Sequence, residues 1–469
     1  MTANIGFLPA TAREFVNVTE AYGLGDLETV IETDDMMEFT MMYSESVAKR
    51  PTLLLLSMDG SNDAHVVREA QRFFTLGYNV ATTTLFSSGF PDQASLSGSA
   101  NSAHLAGQVN KAVSWVKSKM MFVDGQVGLV GWGFGANAVL ATAVHHPDIF
   151  NAAVAYTPDI ASTALANFTA GQTKPGSLWI GVDWDQFPHL HALEANMDAA
   201  EIEWEISMSA GTKMHFMVDG HANYHMEAAR VAMVRSLSFI SDTFGITANA
   251  MGTHEPNRTI ASLTEQAVTY PFRDETVPGL VVHDAAQATP QNKKPAVVIV
   301  PAWAGYDRYA VLRQNYFAQM GYVTMSANIY GLAIEETYAD FGERIAAMAP
   351  YREANNDEKS LLFADKIMAA VDYVKTLPEV DAENVAVIGF CFGGTGVYNT
   401  FRNEKDIQAS VSMHGNMMTT RDFTNVASAD MKGKLLMVSG GVDDGEEGES
   451  LASHLNDLSK YGADWELMR

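Results

Sequence analysis

The sequence predicts two α/β domains in tandem, each a mostly parallel sheet flanked by helices. Three observations lead there. The chain repeats itself at a spacing of 244 to 258 residues. Within each copy, short apolar runs alternate with amphipathic helical segments, the pattern of β-α-β units. With 469 residues, 47% hydrophobic and 18% charged, the chain is globular in composition and too long for one ordinary core.

The repeat is ungapped over its first part. KRPTLLLLSMDGSNDAHVVREAQRFFTLGYNVATTTLF aligns with KKPAVVIVPAWAGYDRYAVLRQNYFAQMGYVTMSANIY. Pro51 pairs with Pro295, Asp63 with Asp307 and Gly77 with Gly321, each 244 residues apart. Further on, VGLVGWGFGANAVL aligns with VAVIGFCFGGTGVY, and Gly133 pairs with Cys391 at a spacing of 258. The second copy therefore carries extra residues, placed here around Leu332 to Asn356, where an insertion beside a pocket tends to cover it. The boundary falls near residues 245 to 265, with breakers Gly252 and Pro256. That gives domains 1–250 and 251–469. The apolar positions of MEAARVAMVRSLSFISDTF recur at three and four and predict the helix closing the first domain. LETVIETDD and EFTMMYS, and then TYPF and LVVHD, are the lead-in strands of the two copies.

The charge excludes several classes. Asp and Glu number 56 against 30 Lys and Arg, a net charge of -26. Such a surface repels nucleic acid and anionic membrane, so neither is expected as a partner. No run of 18 apolar residues suggests a membrane span. The one cysteine, Cys391, rules out an intrachain disulfide. With a start that does not read as a secretory signal, this points to the cytoplasm. No G-x-G-x-x-G follows a strand and no metal-ligand set is read, so neither a cofactor nor a metal is expected.

The chemistry sits in the second copy. Val385–Ile388 reads as a strand, Gly389-Phe-Cys-Phe-Gly393 as a tight turn, and Gly394 onward as a helix. This is a nucleophile elbow with Cys391 at its tip. Small residues flank the tip because larger ones would crowd it. A helix N-terminus favours the charge of a thiolate, and the Phe392 N–H is placed to form half of an oxyanion hole. The first copy has Gly133 at that place, which has no side chain to attack with.

Gly389-Phe-Cys-Phe-Gly393-Gly394, preceded by Gly321-Tyr322 and Asn328-Ile-Tyr-Gly331, resembles the dienelactone hydrolase family over most of residues 265–469. A diverged copy covers roughly 25–245. The resemblance implies tandem alpha/beta-hydrolase domains, no cofactor, and hydrolysis of a small-molecule ester or lactone by a Cys-Asp-His triad. Carried across, Cys391 is the nucleophile. The acid is Asp443, with Asp444 its rival, in LLMVSGGVDD. In the first copy LWIGVDWD offers Asp185 or Asp183 as the relic acid, and MHFMVDGHANYH offers His221 as the relic histidine. The same spacing puts the second copy's histidine at position 479, beyond Arg469. Other sources of a base are His414, whose counterpart is read as Tyr156, His454, or His221 and His225 of the first domain.

The family's glutamate after the first core strand is replaced by Ala302, with Met58 the equivalent in the first copy. Ala302 or Trp303 is expected to complete the oxyanion hole, and Trp303 to form an apolar wall. The arginines that bind a carboxylated lactone have no match, so a substrate other than dienelactone is expected. The alternative to a hydrolase is a non-catalytic structural or interaction protein that self-associates or binds a protein partner.

Overall fold

The structure is a computed structural model. It describes residues 28–34, 37–43, 50–59, 63–85, 99–119, 123, 126–161, 167–168, 176–246, 263–338, 340–356, 362–403, 407–415, 433–440 and 448–469. The chain divides into two compact units, Met1–Thr253 and His254–Arg469.

In unit 1 the strands are β1 (Glu28–Asp34), β2 (Met37–Tyr43), β3 (Thr52–Leu56), β4 (Asn79–Thr83), β5 (Val127–Trp132), β6 (Ala152–Tyr156), β7 (Ser177–Val182) and β8 (Trp204–Ser209). Their order in the sheet is β1-β2-β4-β3-β5-β6-β7-β8. β1 and β2 are antiparallel, as are β2 and β4; from β4 onward every described pairing is parallel. The helices are α1 (Ala64–Thr75), α2 (Ser99–Lys117), α3 (Phe134–His145), α4 (Leu190–Ala199) and α5 (Met226–Thr243).

Unit 2 repeats the plan. Its strands are β9 (Leu263–Phe272), β10 (Glu275–Asp284), β11 (Lys294–Val300), β12 (Val323–Ser326), β13 (Val380–Phe390), β14 (Ala409–Met413), β15 (Lys434–Val438) and β16 (Asp464–Met468), in the order β9-β10-β12-β11-β13-β14-β15-β16. Its helices are α6 (Arg308–Gln319), α7 (Phe341–Asn356), α8 (Leu362–Lys375), α9 (Phe392–Asn403) and α10 (Gly448–Lys460). Both units have the architecture of tandem alpha/beta-hydrolase domains, a central sheet flanked by helices.

The residue pairs shared by the two copies now have physical reasons. Asp63 and Asp307 are N-caps. Their carboxylates accept from the Val66 N–H at 2.8 Å and the Ala310 N–H at 3.0 Å, satisfying donors that the first helical turn leaves free. Gly77 and Gly321 follow the C-caps of α1 and α6 with φ of 100° and 97°. A β-carbon disfavours that backbone, so glycine ends each helix and turns the chain into the next strand.

The central parallel strands are apolar throughout because both faces are covered. All five residues of β3 are buried, as are Ala296 to Val300 of β11. In unit 1 Leu53, Phe73, Trp132, Tyr156 and Trp179 anchor the core, and in unit 2 Val298, Val300, Phe363, Ile367 and Val387 do. Each such burial contributes about 1.5–3 kcal/mol. The extra residues expected around Leu332–Asn356 contain helix α7; the first copy's equivalent segment, 86–98, lies outside the described residues.

Replacing the Asp307 cap by alanine is expected to lower unfolding stability by about 1 kcal/mol. Urea denaturation of Asp307→Ala against the parent checks this, and an unchanged midpoint would show that the cap hydrogen bond is not stabilising.

Candidate active site

The elbow of unit 2 is set by how closely α9 approaches the strands beside it. A β-carbon at Gly389 would lie 2.2 Å from the Gly393 carbonyl oxygen, and one at Gly393 would lie 2.2 Å from the Val300 carbonyl oxygen. Both contacts are with backbone, which cannot swing aside. Glycine two residues before and two after the tip is therefore a steric requirement. Between them Cys391 has φ +54°, a conformation that side-chain-bearing residues rarely adopt. Its N–H donates to the Met413 carbonyl at 2.8 Å and its carbonyl accepts from the Thr395 N–H at 3.2 Å. The thiol is free and partly exposed.

Beside it the Phe392 N–H opens α9 and has no acceptor among the described residues. Ala302 and Trp303 lie on the loop after β11 and are partly buried. The Ala302 carbonyl accepts from the Gly305 N–H at 2.9 Å, and the Trp303 carbonyl accepts from the Tyr330 hydroxyl at 2.9 Å. Burial raises the Tyr330 hydroxyl, and Tyr351, Tyr338 and Cys391 add to the shift, which puts Cys391 in the electrostatic field of that tyrosine.

His414 is exposed, with φ +55°, directly after the residue whose carbonyl holds the Cys391 N–H. Sheet register pairs Met413 with Phe390 and Tyr156 with Trp132. The counterpart of His414 is thus Thr157, also at φ +55°, and not Tyr156. Constant spacing in sequence hid a one-residue slip between the elbow and the next strand. His454 is buried on α10 and hydrogen-bonded through Nδ1 to the Tyr398 hydroxyl at 3.0 Å; burial, with Arg402, lowers its pKa to about 4. Asp443 and Asp444 lie outside the described residues.

Unit 1 keeps the same backbone and fills it. A β-carbon at Gly131 would lie 2.3 Å from the Gly135 carbonyl oxygen, and one at Gly135 would lie 2.1 Å from the Leu56 carbonyl oxygen. Gly133 has φ +51°, so the elbow persists without a nucleophile. The space a side chain there would take belongs to His215, whose Cε1 is 2.7 Å from the place of the missing β-carbon. The Phe134 N–H, equivalent to Phe392, donates to the Met58 carbonyl at 3.3 Å.

His221 is half-buried beside it. Its ring packs edge-on to His215 at 4.9 Å, and its Nδ1 accepts from the Asn223 N–H at 3.1 Å. His225 caps α5 through Nδ1. His215 was missed in the sequence because the expected histidine was sought six residues later, in the glycine-containing loop. The legible signal was the His215-Phe216 pair just after the β8 turn.

Asp183 and Asp185 separate cleanly. Asp185 is exposed. Asp183 is fully buried with no hydrogen-bond partner for either oxygen. Burial raises its pKa to about 6, with Asp185 adding to the shift; backbone N–H groups at 185 and 186 oppose it without bonding geometry. Among the described residues no group of three or more His, Cys, Asp or Glu is arranged as metal ligands would be.

The model of the dienelactone hydrolase family matches residues 41–244 and 283–469. The chain belongs to the dienelactone hydrolase family. A dienelactone hydrolase-like domain thus appears twice, once within each unit. A Synechocystis sp. protein provisionally described as a carboxymethylenebutenolidase is 28% identical over 134 residues, 28% of this chain; the chain spans 51% of that relative's length.

Among solved structures, a dienelactone hydrolase-like promiscuous phosphotriesterase from metagenomic libraries is 22% identical. The match covers 44% of this chain and 80% of that one, with a TM-score of 0.39. A Klebsiella pneumoniae protein provisionally described as a dienelactone hydrolase is 17% identical, with coverages of 44% and 84% and a TM-score of 0.36. No helix among the described residues is long and apolar enough to cross a membrane.

Asp183 gives a pH test. Its native pKa lies above the unfolded value, so the native state holds the proton more tightly. Stability is then fullest below about pH 4 and falls as the pH rises through about 6. Asp183→Asn is expected to be more stable than the parent at pH 7.5, by up to about 3 kcal/mol, and to lose that advantage at pH 4. Denaturation of both proteins at the two pH values checks this; an advantage that does not change with pH would mean that the carboxyl's ionisation is not the cause.

Proposed function

We propose that unit 2 hydrolyses an ester or lactone with Cys391 as nucleophile, and that unit 1 takes no covalent part. The observation that carries this reading is the pairing of a side-chain-bearing residue at φ +54° with an unclaimed Phe392 N–H beside it. A histidine base takes the Cys391 thiol proton, and the thiolate adds to the substrate carbonyl. The Phe392 N–H, with that of Ala302 or Trp303, receives the oxyanion. Collapse forms the thioester and releases the alcohol, which takes its proton from the base. Water deprotonated by the same base then releases the acid and restores the thiol. In this reading Asp443 orients a histidine base and His414 contributes to the pocket wall. The single cysteine supports a cytoplasmic setting.

The reading for unit 1 is structural, with Gly133, Asp185 and His221 as relics. The His215 ring in the nucleophile's place and the Met58 carbonyl on the oxyanion donor support it. A pair in which unit 2 were also inert would instead be an interaction protein.

Intact-mass analysis during turnover of a chromogenic short-chain ester distinguishes these. The parent is expected to carry a transient acyl adduct, and Cys391→Ala none, with the hydrolysis rate down by roughly a thousandfold. An accessible Cys391 that never acylates would remove the hydrolase reading and leave the interaction role.

A further inference from the structure

An aromatic wall stands beside Cys391, built around the tyrosine of the Asn328–Gly331 motif. Tyr330 is its centre. Its ring lies 5.8 Å from Tyr338, 6.1 Å from Tyr351 and 6.5 Å from Phe392, the residue after the nucleophile. Gly305 lets this ring press on the loop that carries Trp303, for a β-carbon there would lie 2.8 Å from Tyr330 Cδ2. Trp303 in turn meets Phe341 edge-on at 5.3 Å. Phe341 is 69% exposed although it is a large apolar side chain at the start of α7.

Two of these rings have their hydroxyl groups spent on backbone. The Tyr330 hydroxyl donates to the Trp303 carbonyl and the Tyr351 hydroxyl to the Ile329 carbonyl at 2.5 Å. At Tyr330 and Tyr351 a ligand next to the thiol therefore meets ring surface rather than a free hydroxyl group. Arg344 is laid over the Trp303 ring at 5.8 Å, and its Nε donates to the Tyr338 carbonyl at 3.1 Å. That fixes the guanidinium as a brace for Trp303.

We propose that this wall is the acyl- or alcohol-binding site for an uncharged aromatic ester or lactone, and that Trp303 and Phe341 select for it. Flat rings stack on or meet edge-on with such walls more favourably than alkyl groups of similar size do. The proposal rests on Cys391 being the reacting thiol.

The test uses the full chain and reads binding apart from turnover. Cys391 is its one cysteine, so alkylation by iodoacetamide, followed by intact mass, reports that site alone. Methyl benzoate is expected to protect Cys391 at a concentration about tenfold lower than methyl butyrate, which corresponds to about 1.4 kcal/mol. In Trp303→Ala, and in Phe341→Ala, whose exposed position does not endanger folding, the preference should fall to about threefold or less. Equal protection by the two esters, or a preference unchanged in both variants, overturns the proposal. So does stronger protection by monomethyl phthalate that Arg344→Gln removes, because the site would then be an anion site. If protection follows the expected pattern while no acyl adduct ever forms, the aromatic site stands and the hydrolase reading fails.

Discussion

The approach of α9 to the carbonyl ends of β11 is the constraint on which the site of unit 2 depends. The first turn of that helix sits so close to Val300 and Pro301 that position 393 has no room for a β-carbon, and position 389 has none against the helix itself. With both neighbours held, the residue between them must turn through positive φ. A cysteine there costs of order 1–3 kcal/mol in backbone strain, which the surrounding sheet must offset. The result is a partly exposed thiol and an amide beside it with no acceptor among the described residues. Strain and reactivity are thus two aspects of one packing contact.

Unit 1 shows that the same contact survives without its chemistry. Gly131 and Gly135 make equally close approaches, and Gly133 relieves the strain that a cysteine bears. The empty place is taken up from within by the His215 ring and the Met58 carbonyl. Asp183 remains buried and unbonded, a costly arrangement for a carboxylate, which accounts for its raised pKa. What the fold preserves here is the packing of helix on sheet; the reacting groups have settled into one another.

Helix α7 shapes the surroundings of the unit 2 site. It brings Phe341 and Arg344 against Trp303 on the loop that follows β11, and Tyr351 against Tyr330 and Phe392, so the residues inserted in the second copy become a wall of its site. The Tyr330 and Tyr351 rings can be partly buried there because their hydroxyl groups find backbone carbonyls.

The sequence by itself determined the elements and their repetition. Apolar runs such as TLLLL and AVVIV, the caps at Asp63 and Asp307, and the helix-ending Gly77 and Gly321 are local signals with local causes, so both sheets and the elbow at Cys391 were legible. Features set by contacts between distant segments were decided only by the tertiary structure. The slip that pairs His414 with Thr157 comes from sheet register, and the place of His215 comes from a loop folded back over Gly133. The separation of Asp183 from Asp185 comes from burial, since two carboxylates two residues apart read alike until one of them is closed off from water.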